Sequence, residues 1–149
     1  MDPTADSPTK TASLPRMVVA DDDTFVRTML ATHLASWFDC VGVGGDAMDA
    51  VALVEAHRPD VVVLDVEMPE GGAMFATSTI RERSPETAIV ILSGDGAAST
   101  QLALRDAGAT SYLHKDIDPR LLGQEIETAI AIHRRSASAV GVERAESFS

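Results

Sequence analysis

The sequence predicts an α/β protein built on one doubly wound, five-stranded parallel sheet with helices on both faces. Short unbroken apolar runs, typical of strands buried on both faces, alternate along the chain with segments of helical spacing. Five such strand–helix units in a row favour parallel strands joined by right-handed helical crossovers. The 149 residues are enough for one domain with a sizeable core.

The five predicted strands are apolar runs of four or five residues, and the second and fifth are the weaker ones. They lie at 17–20 (MVVA), 40–43 (CVGV), 61–64 (VVVL), 88–92 (AIVIL) and 110–114 (TSYLH). No run approaches the roughly 18 apolar residues that a membrane span needs, and 1–15 contains no apolar signal segment. We therefore expect a cytoplasmic protein with no membrane contact.

Apolar residues at helical spacing occupy the segments between the strands. Four stripes are present: Val26, Met29, Leu30, Leu34 and Trp37; Ala47, Val51 and Val54; Leu102, Ala103 and Ala107; and Leu122, Ile126, Ala129 and Ile130. Asp23 is the predicted N-cap of the first helix, Gly108 ends the fourth, and Asp118-Pro119 opens the last. The segment 73–83 has weak helix propensity, and its position between two strands predicts a helix there.

Composition and charge limit the function. Residues 1–15 are rich in Pro, Thr, Ser and Asp and are predicted to be disordered, 16–135 to form the domain, and 136–149 to be a flexible tail. The net charge of −11, from 12 basic and 23 acidic residues, repels phosphate backbones, so nucleic-acid binding by this chain alone is not expected.

Chemically active residues follow four of the strands. They are Asp21, Asp22 and Asp23 after the first strand, Asp65 after the third, Ser93 and Asp95 after the fourth, and Lys115 after the fifth. In open parallel sheets the carboxyl ends of the strands form the ligand-binding edge, so these side chains are predicted to meet there. Taken singly, each is as well explained as a helix cap, a turn residue or a surface lysine; their order and spacing carry the prediction.

Carboxylates from two neighbouring strands repel each other by roughly 4 kcal/mol at 4 Å and an effective dielectric near 20. A cation relieves this repulsion, and oxygen ligands without His or Cys nearby favour Mg²⁺, or Mn²⁺, over zinc. A carboxylate nucleophile, a metal, a lysine and a hydroxyl together predict a phosphoryl-transfer site with Asp65 as acceptor.

The strings VVADDD, VVVLDVEMP, IVILSG and SYLHK resemble the successive strand ends of bacterial response-regulator receiver domains. The resemblance covers about 16–135 and implies a flavodoxin-like (βα)5 fold with strand order 2-1-3-4-5. It implies that Asp65 accepts the phosphoryl group, and that Asp22 binds the metal directly and Asp21 through water. It also assigns the backbone carbonyl of Glu67 to the metal and Ser93 and Lys115 to the phosphoryl group, with Tyr112 moving with Ser93 when the domain switches.

The sequence departs from the family pattern at two positions. The family often has glycine eight residues after the acceptor, where this chain has Ala73, and proline after the lysine, where it has Asp116. The Lys-Asp pair resembles the receivers of LuxR-like helix-turn-helix transcription regulators. These differences bear on which face signals rather than on phosphorylation.

The leading hypothesis is a stand-alone receiver, a phosphoacceptor rather than an enzyme. The resemblance implies a sensor histidine kinase or phosphotransfer protein as donor, a downstream protein as target, and leaves open a phosphorylation-dependent homodimer. Glu67 and Asp95, two residues after Asp65 and Ser93, are expected to line the entrance to the site and slow anionic phosphodonors.

Two other functions stay open. The chain could be the receiver part of a LuxR-like regulator whose output domain is missing, although about fourteen residues after the last predicted helix are too few for that domain. A phosphatase of the haloacid dehalogenase type is the remote alternative, because Glu67 occupies the place of its second acid. The Asp21–Asp22 pair is foreign to such phosphatases, which usually need a cap and a longer chain.

Overall fold

The computed structural model describes residues 14–68, 72–94 and 98–148, the last eleven of them by backbone alone. The described residues form five strands and five helices that alternate along the chain. In order they are β1 (Arg16–Ala20), α1 (Thr24–His33), β2 (Asp39–Gly44), α2 (Ala47–His57), β3 (Val61–Asp65), α3 (Gly72–Arg83), β4 (Ala88–Ser93), α4 (Ala98–Ala107), β5 (Ser111–His114) and α5 (Pro119–Phe148). All five predicted strands are confirmed, the weak ones included.

The strands form one parallel sheet in the order β2-β1-β3-β4-β5, as predicted. The chain moves first to one side of β1 and then to the other, so the strand order reverses between β1 and β3. The carboxyl ends of these two central strands lie side by side at that reversal, which is the place where such sheets bind ligands.

Alternate residues of the central strands enter two separate apolar layers. On one face, Val18, Val62 and Ile89 pack with the buried sides of α2, α3 and α4. On the other face, Met17 and Val61 pack with α1 and α5. Burial on both faces explains why these strands appear in the sequence as continuous apolar runs.

The predicted helix signals are found where the sequence places them. The Asp23 side chain accepts hydrogen bonds from the backbone N–H groups of Phe25 and Val26 and caps α1. Helix α4 ends at Ala107, directly before Gly108, whose φ of 123° is a conformation that residues with a Cβ rarely adopt. Helix α5 begins at Pro119, and Asp118 accepts a hydrogen bond from the N–H of Arg120. These caps set the helix boundaries.

Two of the predicted apolar stripes are partly wrong. Leu102 is 60% exposed, and Leu104 is the residue of α4 that packs on the sheet. Residues two apart on a helix differ by about 200°, so burying Leu104 turns Leu102 toward solvent. Met29 is 49% exposed beside the buried Leu30, at the flank of the α1 stripe.

The backbone of α5 continues to Phe148, whereas the sequence predicted a flexible tail from residue 136. An established helix is extended at little cost because its unfavourable nucleation step is already complete, so the segment can stay helical without an apolar stripe. Although α5 has 30 residues, no helix in the described part of the chain combines the length and apolar character of a membrane span.

Thr77 of α3 is fully buried, and its hydroxyl has no hydrogen-bond partner among the described residues. A buried polar group without a partner costs about 1–3 kcal/mol, and valine has nearly the same shape without the hydroxyl. We expect Thr77→Val to raise the free energy of unfolding by about 1 kcal/mol, and the melting temperature by about 2–4 °C.

Chemical denaturation and thermal melting measure this effect. Thr79→Val, in the same helix but partly exposed, is the matched control for the change in helix propensity. If Thr77→Val is no more stable than this control, the buried Thr77 hydroxyl does not destabilise the fold.

Candidate functional site

The register of the sheet brings two carboxylates together. Ala20 of β1 lies beside Leu64 of β3, and Asp21 and Asp65 are the residues that follow them. The N–H of Asp21 donates to the Gly44 carbonyl at 3.1 Å, which holds the end of β1 against β2. Both carboxylates are therefore positioned by strand pairing rather than by a free loop.

Asp21, Asp22 and Asp65 form a compact acidic cluster. One carboxylate oxygen from each lies within 4.8 Å of the others. Asp21 and Asp65 are 1% and 2% exposed, whereas Asp22 is open to solvent. Asp21 Oδ1 accepts a hydrogen bond from the N–H of Asp23 at 2.9 Å, which orients the buried carboxylate.

Lys115 is the cation of this cluster. Its Nζ lies 2.9 Å from Asp65 Oδ1 and 3.5 Å from Asp21 Oδ2, so it bridges the two buried carboxylates. Its backbone N–H donates to the Ser93 carbonyl at 2.8 Å, which extends the pairing of β4 and β5 by one residue. Asp65 Oδ1 also accepts the N–H of Glu67 at 3.0 Å, so two donors fix its orientation.

The charges of the cluster are not balanced. Three carboxylates face one ammonium group, which leaves an excess of negative charge in a largely buried place. Burial, and then the charge of Asp65, raise the pKa of Asp21 despite the hydrogen bond from Asp23. Burial alone would lower the pKa of Lys115, but its hydrogen bond to Asp65 and the charges of Asp65 and Asp21 raise it.

The donor set fits a small hard dication. Asp21 Oδ2 is buried and receives no hydrogen bond from the residues that the structure describes, although Lys115 Nζ lies 3.5 Å away in an ion pair. An unsatisfied carboxylate oxygen beside two further carboxylates, with no His or Cys in the cluster, is the chemistry that Mg²⁺ or Mn²⁺ requires. Asp21, Asp22 and Asp65 are the side chains that would hold it.

The structure places the other predicted residues as follows. Ser93 is fully buried at the end of β4, and Tyr112 is half-buried in β5, beside Ile91 of β4. The Glu67 side chain is exposed and extends over Gly94, its Oε2 about 3.5 Å from where a Cβ of that glycine would lie. Its charge also helps to raise the pKa of Lys115. Asp95 lies outside the described residues.

Sequence reasoning missed the support given by Arg27. Its Nη1 donates at 3.2 Å to the backbone carbonyl of Asp21, which lies six residues earlier, before the helix begins. A Cβ at Gly45 would lie 2.5 Å from this nitrogen, so the glycine leaves room for the guanidinium. Nothing in the local pattern distinguishes Arg27 from a solvent-facing arginine.

An apolar cavity of about 220 Å³ opens next to Lys115. It lies between α1 and the start of α5, and its walls are mainly aliphatic: Val26, Met29, Leu30, His33, Leu92, Lys115, Ile117, Pro119 and Leu122. Phe25, at the start of α1, and Leu121, at the start of α5, are exposed. The acidic site is thus bordered by apolar surface.

A parallel 2-1-3-4-5 sheet with an acidic cluster and a lysine at its switch point is the arrangement of the receiver domains of two-component signalling. Residues 17–127 match the family model of the response regulator receiver domain. This match spans most of the chain, which therefore belongs to that family.

Individual relatives agree. The transcriptional regulatory protein PdtaR of Mycobacterium tuberculosis is 35% identical over 132 residues, which cover 87% of this chain but 64% of that protein. The crystal structure of a LuxR-family two-component response regulator from Aurantimonas sp. superposes with a TM-score of 0.75 and 30% identity, over 80% of this chain and 86% of the other. A CheY-like receiver protein from Methanospirillum hungatei, 19% identical with a TM-score of 0.75 over 83% of this chain and 99% of its own, shows the same fold.

Membership of the family carries general properties. Receiver domains are mostly signalling modules rather than enzymes, bind Mg²⁺ at an acidic pocket and act between histidine kinases and downstream targets. The assignment places the chain in this family rather than among the haloacid dehalogenase phosphatases. The chain spans less than two thirds of the length of PdtaR.

Proposed function

We propose that Asp65 accepts a phosphoryl group from a histidine kinase or phosphotransfer protein, and that the phosphorylated domain signals to a protein partner. The observation that carries this proposal is the buried Asp65 carboxylate held at 2.9 Å by Lys115 inside the acidic cluster. A carboxylate so oriented is a nucleophile, and the neighbouring ammonium can accept the charge of an arriving phosphoryl group.

The reaction exchanges one bond to phosphorus for another. An oxygen of the Asp65 carboxylate attacks phosphorus, and the bond from phosphorus to the ring nitrogen of a phosphohistidine breaks, with its electron pair leaving on nitrogen. The product is an acyl phosphate, which water later hydrolyses to the carboxylate and inorganic phosphate. Bound Mg²⁺ would supply positive charge to the phosphoryl oxygens. The domain is a phosphoacceptor that assists these two steps without turning over a free substrate.

Lys115 and Ser93 have separate roles in this proposal. Lys115 already contacts Asp65 and can keep a contact with the phosphoryl oxygens once they are attached. Ser93, buried at the end of β4, places a hydroxyl at the same edge. Tyr112 lies in β5, beside Ile91 of β4. If the Ser93 hydroxyl moves toward the phosphoryl group, Tyr112 would move with it and change the outer face of β5.

The direct test is phosphorylation by acetyl phosphate, followed by intact-mass spectrometry. The chain should gain one phosphoryl group in the presence of Mg²⁺ and almost none when the metal is chelated. No added mass under conditions that phosphorylate an authentic receiver would contradict the proposal.

A protein donor is supported by the apolar surface at the site. The 220 Å³ cavity beside Lys115 and the exposed Phe25 and Met29 offer contacts that a small phosphodonor does not use. Apolar side chains grouped around a charged site are typical of protein–protein contact surfaces.

The second candidate is the receiver part of a longer transcription regulator. Its support is that PdtaR extends beyond the matched region and that the Aurantimonas relative belongs to the LuxR family. The stand-alone hypothesis expects no DNA-binding segment in the gene, and the regulator hypothesis expects one downstream of Ser149. The genomic reading frame distinguishes them.

Under either hypothesis, we expect no sequence-specific binding of duplex DNA by these 149 residues at physiological salt. The net charge of −11 opposes the phosphate contacts on which such binding depends. An electrophoretic mobility shift assay with and without acetyl phosphate checks this. A mobility shift that unlabelled DNA of the same sequence removes, and unrelated DNA does not, would overturn the expectation.

Neutralising Glu67 should speed phosphorylation by acetyl phosphate. The Glu67 carboxylate lies over Gly94 and acts on Lys115, so it adds negative charge where an anionic donor approaches. For a doubly charged donor about 8 Å from the Glu67 carboxylate, in a wet site of effective dielectric about 40–80, the repulsion is about 1–2 kcal/mol before salt screening. Screening leaves a rate gain of about a few-fold for Glu67→Gln. Asp95→Asn is expected to act in the same direction.

Initial rates at low and high ionic strength measure this gain, which should shrink as salt is added. Glu125→Gln removes an equal charge from an exposed position on α5 and is the control. A rate for Glu67→Gln at low salt that equals the control, or falls below it, would mean that Glu67 is only a solvated loop acid.

A further inference from the structure

A second cavity, which has a polar lining, lies at the end of the sheet opposite the acidic cluster. It has a volume of about 230 Å³ and opens between α3, the turn before β5 and α5. Arg81, Thr110, His133 and Ser136 provide its polar lining. These residues lie near the amino ends of β4 and β5, whereas the acidic site lies beyond the carboxyl ends of β1 and β3, so the two sites are separate.

Arg81 is the central residue of this cavity, and one of its donors has no acceptor among the described residues. Its Nε and Nη2 donate to the Gly108 carbonyl at 3.1 and 2.8 Å, and its Nη1 donates to the Pro85 and Thr87 carbonyls at 2.9 Å each. A guanidinium has five N–H donors, and these four bonds leave one N–H on Nη2.

The partners of Arg81 are neutral. No carboxylate among the described residues forms an ion pair with it. Burial lowers the pKa of Arg81, and the exposed Glu86 offsets this only from a distance. A half-buried guanidinium without a carboxylate is unusual in a chain with a net charge of −11.

Two hydroxyls and a histidine lie beside Arg81. His133 Nε2 donates to the Pro85 carbonyl at 2.8 Å and lies 3.2 Å from Arg81 Nη1, so its hydrogen is already used within the protein. Thr110 Oγ1 accepts the N–H of Ile89 at 3.1 Å, and its own hydrogen has no acceptor among the described residues. Ser136 adds an exposed hydroxyl. The cavity thus offers several donors and no acidic side chain.

We propose that this cavity binds a small oxyanion, a phosphate or carboxylate group, through the remaining N–H of Arg81 and the hydroxyls of Thr110 and Ser136, beside His133. Its volume exceeds the roughly 30 Å³ that one water molecule occupies in the liquid several times over, so a phosphate-sized group fits. The alternative is that Arg81 has only a structural role, in which its hydrogen bonds connect α3 to the turns before β4 and β5. That role uses four of the five N–H donors of Arg81. It does not account for the fifth donor, for the hydroxyls of Thr110 and Ser136, or for the open volume of the cavity.

Titration of the ¹⁵N-labelled full chain with sodium phosphate, and separately with sodium succinate, tests the proposal at constant ionic strength and without Mg²⁺. Backbone amide shifts should saturate and be largest at Gly108, Ala109 and Ser136. Saturation with either anion supports the site and identifies the group that it prefers. Shifts that stay linear with both anions, or that centre on Lys115, would overturn it.

The variant Ser136→Asp places a carboxylate at the cavity mouth without touching the hydrogen bonds of Arg81. It should weaken anion binding at least tenfold. Arg134→Gln removes a charge from the same helix, where Arg134 pairs with Asp60 outside the cavity, and should keep binding within about twofold. Equal losses in both variants would mean a diffuse charge effect and refute the site. Asp65→Asn should bind the anions like wild type, so the outcome is independent of phosphorylation.

Discussion

Replacing Asp65 with asparagine is expected to abolish phosphorylation by acetyl phosphate. The variant keeps the volume of the side chain and one oxygen near Lys115 Nζ, but the amide is no nucleophile and carries no charge for the cation to hold. Wild type should gain one phosphoryl group in intact-mass spectra, and Asp65→Asn none. This is the largest effect that the geometry predicts, because Asp65 is the carboxylate that Lys115 holds most closely, at 2.9 Å compared with 3.5 Å for Asp21.

Asp106→Asn is the matched control, since Asp106 is exposed on α4 away from the cluster. It should be phosphorylated like wild type. Equal labelling of Asp65→Asn and wild type would move the acceptor elsewhere, with Asp21 and Asp22 as the residues to examine next. Peptide mapping after borohydride reduction of the acyl phosphate would then locate it.

Mg²⁺ is expected to raise the melting temperature of the wild-type chain, and Asp22→Ala to lose most of that rise. The cluster holds three carboxylates against one lysine, so an ion that binds the folded state alone stabilises it by RT ln(1 + [L]/Kd). At ten times Kd this is about 1.4 kcal/mol, or a few degrees. Asp22 is exposed, so its removal leaves the core intact.

The pH dependence of the metal-free chain has a definite sign. Because the pKa of Asp21 is raised above its ordinary 3.8, the folded state holds this proton more tightly than the unfolded state. The Asp21 contribution to stability therefore falls as the pH rises from 3.8 through the raised pKa. Saturating Mg²⁺ should remove this loss.

Thermal melts of wild type, Asp22→Ala and the control Asp106→Ala, each with and without millimolar Mg²⁺, measure the shift. Mn²⁺ should act like Mg²⁺, and Na⁺ at equal ionic strength should not. A shift that survives in Asp22→Ala would place the ion away from the cluster. Asp22→Ala should also be slightly more stable than wild type without metal, because one repelling charge is gone.

Much of this site follows from the order of residues in the sequence. Each acid or lysine comes directly after a continuous apolar run, and parallel strands deliver the residues that follow them to one edge. Asp21 after β1, Asp65 at the end of β3 and Lys115 after β5 could therefore be assigned to one place before any distance was known. Strand propensity mattered less, because even the weak runs of β2 and β5 are strands in the structure.

Helix orientation was harder to predict. The sequence of α4 contains Leu102 and Leu104, and both cannot face the sheet because they lie about 200° apart around the helix. Packing against the core selects Leu104, which is 1% exposed, and local spacing could not make that choice. The extent of α5 is a similar case, since an established helix continues through a segment that has no apolar period of its own.

The sequence by itself determined the fold class, the strand order through its family resemblance, and the edge at which the chemical groups collect. Only the tertiary structure decided that Lys115 bridges Asp65 and Asp21, and that Asp21 Oδ2 receives no hydrogen bond within the described part of the chain. It also decided that Arg81 lies beside His133, which is 52 residues away in the sequence. The physical reason is the separation along the sequence between the residues that interact. Strand periodicity and caps depend on neighbours along the chain, whereas charge pairing, burial and cavities depend on residues that only folding brings within a few ångströms.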